Sequence, residues 1–355
     1  YSSYGSTITT NLQTGATTAI SGGINGRLAS ITGASAVSDN VITISDTSTT
    51  VTISGANSGT INYSGSDTTF SNFEHIAAGS GTNSFVINVG GSLSGTLTLT
   101  NGTNTLDYTD YADDIFVNLL TLAATAIYSG ATDGLISLPD TITGSTSGTT
   151  NAITGTTTSP TTFTISGTKA GTIGYGVTTI NFTEINTLIG SAVSDIIIGP
   201  DEDTTWTISS QYAGNLLATS FVTPIYFTGI ETITGGSATD NLVSSDGVGT
   251  PHAWVINNNT EGTLDNVAYT SMNSFTGGSG NDSFTVTPSG SAITTIAING
   301  GSGTNSVTKT STTNTWTTTT NNQVDLTYST STINFTNIET VTGGGSDTLA
   351  AGDNT

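Results

Sequence analysis

The chain has 355 residues, 34% of them hydrophobic and only 8% charged, and 25 acidic residues stand against three basic ones for a formal net charge of −22. That balance excludes nucleic acid as a partner, because clustered Lys and Arg are what bind phosphates, and it argues against an anionic membrane surface for the same reason. The absence of cysteine rules out a disulfide frame and a thiolate zinc site, and no apolar run approaches the ~18 residues needed to span a bilayer.

Taken in chain order, the predicted elements are short strands ended by Gly, Asn or Asp. Residues 1–12 read YSSYGSTITTNL and match YTDYADDIFVNL at 108–119, with Tyr1 and Tyr4 over Tyr108 and Tyr111, and Asn11-Leu12 over Asn118-Leu119. The segment is therefore expected to begin in mid-repeat. No start resembling a signal peptide is present, so export is expected to be directed from outside the segment unless it is mature protein.

An aromatic or Val then opens a strand four times, in VTISGANSGTINYSG (Val51), FTISGTKAGTIGYG (Phe163), WTISSQYAGNLLAT (Trp206) and WVINNNTEGTLDNV (Trp254), with a fifth start at Trp316. Each leads into a second block, beginning at Phe70, Phe182, Phe227, Met272 and Phe335, as in FTGIETITGGSATDNLV. The closing AAGDNT, Ala350 to Thr355, reads as the start of a further repeat. Thr-rich, β-branched runs disfavour helix, and no window has a helical period.

Asp or Asn follows a Gly-rich turn at Asp39, Asn83, Asn104, Asp195, Asp240, Asp282, Asn305 and Asp347. These stations divide 308 residues (347 − 39) into fourteen units of about 22. The expected fold is all-β: one continuous parallel β-solenoid over residues 1–355 with turns of roughly 22 residues. About sixteen such turns, stacked at the ~4.8 Å strand spacing, would make a rod of roughly 75 Å. Hydrogen bonds between turns would replace a large core, which accounts for the low apolar content.

Several residue sets are candidates for chemistry. GGSGNDSF at Gly277–Phe284 fits the Gly-Gly-x-Gly-x-Asp-x-apolar pattern of calcium β-rolls. Asp282, Asp240, Asp195 and Asp347 are thus candidate calcium corners. The full motif occurs once, without the nine-residue tandem array that stacks ligands, so a structural corner is the competing reading and no cofactor is required. The clusters Asp110, Asp113, Asp114 and Asp201–Asp203 are further acidic candidates, or solvated loop faces.

Glu74, Glu231 and Glu339 recur in an FxxIE block, with Asn186 and Thr276 assigned to the other copies. Residues that recur with a repeat serve the repeat, and no copy carries an additional acid, Arg or Lys that would mark a catalytic turn. His75 and His252 lack partners at ligand spacing. Trp206, Trp254 and Trp316 share their station with Val51 and Phe163, an interchange that argues for packing over a sugar-stacking platform.

The runs GGSLSGTLTLTNGTNTLDYTDYADDIFVNL (Gly90–Leu119), FTGIETITGGSATDNLV and FTNIETVTGGGSDTLA resemble the repeats of very large bacterial surface and secreted proteins of the haemagglutinin-like and RTX-adhesin type. The resemblance implies an exported, extracellular or cell-surface solenoid used as a shaft or coat. The expected function is structural and non-enzymatic, a stalk or self-assembling filament subunit whose first partner is itself. A calcium-dependent surface-layer lattice and a glycan-binding or glycan-cleaving module are the alternatives, the last with surface glycans as partners. Neither nucleic-acid binding nor membrane insertion is expected.

Overall fold

The computed structural model describes residues 4–36, 39–128, 134–156, 159–192, 194–245, 249–288, 293, 295–310 and 313–351. Tyr1 of the opening match and residues 352–355 of the closing one lie outside them. Contacts divide the chain into two compact units, Tyr1–Ser159 with Lys169–Ile189, and Pro160–Thr168 with Gly190–Thr355. Every regular element among the described residues is a β-strand. Both units are built as β-solenoids.

In the first unit, parallel pairing stacks Val51 on Phe85, Phe85 on Leu106, Leu106 on Ile142 and Ile142 on Phe182. All five side chains are buried. The second unit repeats this with Trp206, Leu242, Phe275, Ile298 and Phe335 in one ladder and Trp254, Phe284, Val307 and Val341 in another. Alternation of apolar and polar residues sends one face inward, and turn-to-turn register places like on like. Interior space is filled by interchange within a ladder, so Trp, Phe, Leu and Val share one station.

The ladders are not purely parallel, and this changes the expected turn. Four of the five repeated strand starts seen in the sequence, those at Val51, Trp206, Trp254 and Trp316, open a three-stranded antiparallel meander inside the sheet. Thr49–Gly55, Ser58–Tyr63 and Ser66–Ser71 form one. Thr204–Ser210, Ala213–Ala218 and Ile225–Thr228 form a second, and Ala253–Ile256, Gly262–Leu264 and Val267–Thr270 a third. Thr315–Thr320, Gln323–Tyr328 and Ser331–Thr336 form a fourth. Its first strand pairs with the turn that follows (Trp206 beside Leu242) and its third with the turn before (Ile233 beside Tyr269).

Turn length follows from the meanders. Asn83 meets Asn104 after 21 residues and Asp282 meets Asn305 after 23, on turns without a meander. Turns with one run from 30 residues, at His252–Asp282, to 39, at Thr32–Ser71. The 22-residue expectation thus describes only the bare turn, and the full turns are longer and fewer than sixteen. Asn57, Lys169, Tyr212 and Asn322, which share one position of the repeat, all adopt positive φ, from 52° to 63°.

Candidate functional site

The chemistry-bearing side chains collect at the corners, where a loop turns into the next strand. There an Asn, Asp or Glu oxygen accepts the backbone N–H of the residue one turn earlier. In the first unit Asn40 caps Ile8 at 3.0 Å, Glu74 caps Asn40 at 2.9 Å, Asp140 caps Asn104 at 2.7 Å and Asn151 caps Ile115 at 3.1 Å. In the second, Asp195 caps Thr161 and Glu231 caps Asp195, both at 2.7 Å. The longest run is His252 capped by Asp282 (2.8 Å), Asp282 by Asn305 (2.9 Å) and Asn305 by Glu339 (2.6 Å).

At each of these corners the N–H finds its acceptor in a side chain of the adjacent turn rather than in a strand carbonyl. Left buried without an acceptor it would cost about 1–3 kcal/mol, and a charge-assisted bond there contributes about 1.5–3 kcal/mol. The FxxIE glutamates are therefore caps of the same kind as the Asp and Asn stations, with a longer reach.

Two sequence assignments are corrected. The first station is Asn40, which is fully buried, and not Asp39, which is largely exposed and lies 3.8 Å from His75 Nε2. In the Met272 copy the capping position is Asn273, whose Oδ1 accepts from Asp240 N–H at 2.7 Å, and not Thr276, which lies within the following strand. Asn186 turns its Nδ2 to the carbonyl of Thr149. Asn151 and Asn314 are corner residues that sequence reasoning missed, although each precedes an alternating strand as the others do.

The four candidate calcium residues all occupy corners. Asp195 and Asp347 accept from the turn N–H groups of Ser191 and Gly344 with Oδ2. Asp240 and Asp282 aim Oδ2 at the equivalent turns, at Gly236 and Gly278, in geometry short of a full hydrogen bond. Their other oxygens also accept from protein donors, Asp240 Oδ1 from Trp206 Nε1 at 3.1 Å and Asp347 Oδ1 from Asn314 N–H at 2.9 Å, while Trp316 Nε1 adds a second donor to Asp347 Oδ2 at 3.1 Å. Calcium takes six to eight oxygens; each of these corners offers one carboxylate facing N–H groups. Among the described residues no three His, Cys, Asp or Glu side chains cluster closely enough to hold a metal ion. Each of the four carboxylates already accepts from a protein donor.

The first glycine of the turn is set by the same packing. A Cβ on Gly190 would lie 1.8 Å from the carbonyl oxygen of Gly229, and one on Gly277 2.2 Å from that of Gly300. The Gly-Gly-x-Gly-x-Asp pattern thus arises from close backbone approach between turns and a capping carboxylate.

The remaining candidates are placed as follows. Asp114 accepts from Thr150 N–H at 2.7 Å, while Asp110 and Asp113 are exposed. Asp201, Glu202 and Asp203 accept from Ser237, Ser220 and Thr239 N–H groups, each at 3.0 Å. His75 Nδ1 accepts from Thr96 N–H at 3.0 Å, and buried His252 lies 2.5 Å from Asp265 through Nδ1. Trp254 stacks on Phe284 at 5.5 Å between centroids, and all three Trp are buried. Lys309, also buried, packs 4.5 Å from the Tyr328 ring, and desolvation lowers its pKa against the opposing pull of Asp347.

Burial pushes the carboxyl groups of Asp240 and Asp282 above their ordinary 3.8, partly offset by the Trp206 and His252 donors. The folded state then holds these protons more tightly than the unfolded one. Their contribution to stability is complete below 3.8 and is lost as pH rises through the raised values. Repulsion within a chain of net charge −22 acts in the same direction. The melting temperature is therefore expected to rise as pH falls from 7.5 toward 5, and to rise less in D240N/D282N. An identical pH slope in the double variant would contradict the assignment.

These features define a repetitive β-solenoid closed at its corners by inter-turn caps. No protein-family model, curated protein or solved structure matches the chain.

Proposed function

We propose that the protein is a non-enzymatic structural element of the extracellular or cell-surface kind, a stalk or self-assembling filament subunit. One observation carries this reading: carboxylates and amides that might have formed a site are bound to backbone N–H groups of the adjacent turn. Side chains so engaged maintain a stack and are poorly placed to act as nucleophile, base or ligand. The resemblance to haemagglutinin-like and RTX-adhesin repeats supports the same reading, as does an acidic, cysteine-free composition. Electron microscopy of concentrated protein is expected to show filaments or ordered assemblies. Monodisperse monomers at every concentration would overturn the self-assembling reading.

The lattice and glycan alternatives have less support. A calcium-dependent lattice requires ligand sets that the corners do not supply. A glycan site requires exposed aromatics around a groove. The open groove lined by Asp203, Thr205, Leu217, Thr219 and Phe221, of about 370 Å³, has one aromatic, and it is buried. A glycan array separates that reading from the structural one.

A further inference from the structure

The geometry points to a pH-dependent latch on the meander of residues 253–270. Protonated His252 grips Asp265 and holds the hairpin of residues 262–270 shut against the strand Ala253–Ile256, and the grip weakens as pH rises and the ring loses its proton. The inference goes beyond the structural reading above and does not depend on assembly.

This meander is the thinnest joint of its kind. Its first strand pairs with the turn that follows, at Ser283–Val286, and its third, Val267–Thr270, with the turn before, at Thr232–Thr234. The two are joined through the middle strand Gly262–Leu264, which has three residues and three registered pairs with the first strand. The middle strands of the other three meanders, Ser58–Tyr63, Ala213–Ala218 and Gln323–Tyr328, have six residues each. With half the ladder to hold it, this hairpin carries a side-chain tie.

His252 is 3% exposed and its Nδ1 lies 2.5 Å from Asp265 Oδ2. Asp265 sits at the hairpin tip, where it and Asn266 form a two-residue turn, with φ of 49° and 69°, between paired Leu264 and Val267. Its Oδ1 accepts Ala253 N–H at 2.9 Å, and its own N–H donates to the Ala253 carbonyl at 3.0 Å. One residue thus ties the tip to both the ring and the backbone at the start of the first strand.

The pair is particular to this copy of the repeat. Two places before the aromatic or Val start, the other copies carry Thr49, Thr161, Thr204 and Asn314, all buried and none titratable. In the other three meanders the place of Asp265 is held by Asn62, Leu217 and Thr327, opposite Thr50, Thr205 and Thr315. Both stations become ionisable in the one meander with a three-residue middle strand, and there they touch.

Among the described residues, the charged groups set against His252 are acidic. Asp265 meets the ring, and Asp282, from the following turn, accepts His252 N–H at 2.8 Å. Toward the preceding turn, the groove that Asp265 lines is bordered by Ser210 and Gln211, which carry no charge, and Glu261 at the far end of the hairpin binds Asn258. A neutral ring still donates Nδ1–H to Asp265 but leaves two carboxylates without a counter-charge. The folded state therefore favours the imidazolium and binds its proton more tightly than the unfolded chain does. The stabilisation is complete below the unfolded imidazole range and is lost as pH rises through the higher folded value.

His75 is the only other histidine, so the two ring signals are separable by NMR and H252T assigns them by removal. The titration midpoint of His252 is expected to fall in D265N, which keeps the turn and the acceptor for Ala253 N–H. Hydrogen exchange at the Ala253 and Asp265 amides, corrected for intrinsic rates, is expected to show opening about tenfold rarer at about pH 6 than at about pH 8.5 in the parent. In D265N and in H252T, which carries the Thr of the sister copies, the change is expected to be less than about threefold. A His252 midpoint unchanged in D265N, or the same pH dependence of opening in H252T as in the parent, would overturn the latch.

Discussion

Asp282→Asn is expected to cost less than about 1 kcal/mol, whereas Asp282→Ala loses about 2–3 kcal/mol. The carboxylate is almost fully buried, receives His252 N–H at 2.8 Å and leaves its other oxygen without a full hydrogen bond. Alanine strands the His252 N–H. Asparagine keeps the acceptor for His252 N–H and removes the buried charge, but its amide faces the Gly278 N–H unless the turn presents carbonyls, as the corner of Asn83 does with those of Gly79 and Gly81. Removing a buried charge with incomplete partners is neutral or favourable.

The same pair of variants separates the two readings of Gly277–Phe284. A calcium ligand converted from Asp to Asn would lose metal-dependent stability. Thermal melts in calcium and in chelator, with hydrogen exchange at His252 as the local probe, give the answer. Equal melts with and without chelator, retained protection in D282N and lost protection in D282A are expected. A D282N variant that melts lower than the parent only when calcium is present would restore the metal reading.

Gly190→Ala is expected to be among the most damaging single-methyl additions, at about 3 kcal/mol. The new Cβ would sit 1.8 Å from the carbonyl oxygen of Gly229, a backbone atom fixed by the adjacent turn, so no rotamer change relieves the overlap. Gly190 N–H also donates to the Thr228 carbonyl at 2.7 Å, and the turn residue Ser191 binds Asp195. Separating the turns breaks the bond between Gly190 and Thr228. Gly5, with no atom within 4 Å of a built Cβ, is the control, and its alanine variant is expected to denature with the parent. Equal denaturant midpoints for the two variants would contradict the close approach. Because repeat arrays can lose cooperativity, the midpoint is best read together with the slope.

The alternation of apolar and polar residues and the recurring Gly-rich Asp and Asn corners were enough to reach an all-β solenoid. Those signals are local, since strand periodicity and turn residues act over a few positions. The shared station of Val51, Phe163, Trp206, Trp254 and Trp316 was likewise sufficient to place those side chains inside. The strand that follows the aromatic start was legible too, but its direction was not. Whether GTINY runs parallel or antiparallel to VTISG depends on which strand it meets, and the alternating pattern is the same in both cases.

Only the tertiary structure therefore decided the meanders, the longer turns they produce and the division of the ladders into two units. It also decided which polar residue at each corner is spent, selecting Asn40 over its neighbour Asp39 and Asn273 over Thr276. A cap is chosen by which side chain reaches an N–H about 23 to 36 residues away in sequence. That distance is set by the stacking of turns, which residue order specifies only after the chain has closed on itself.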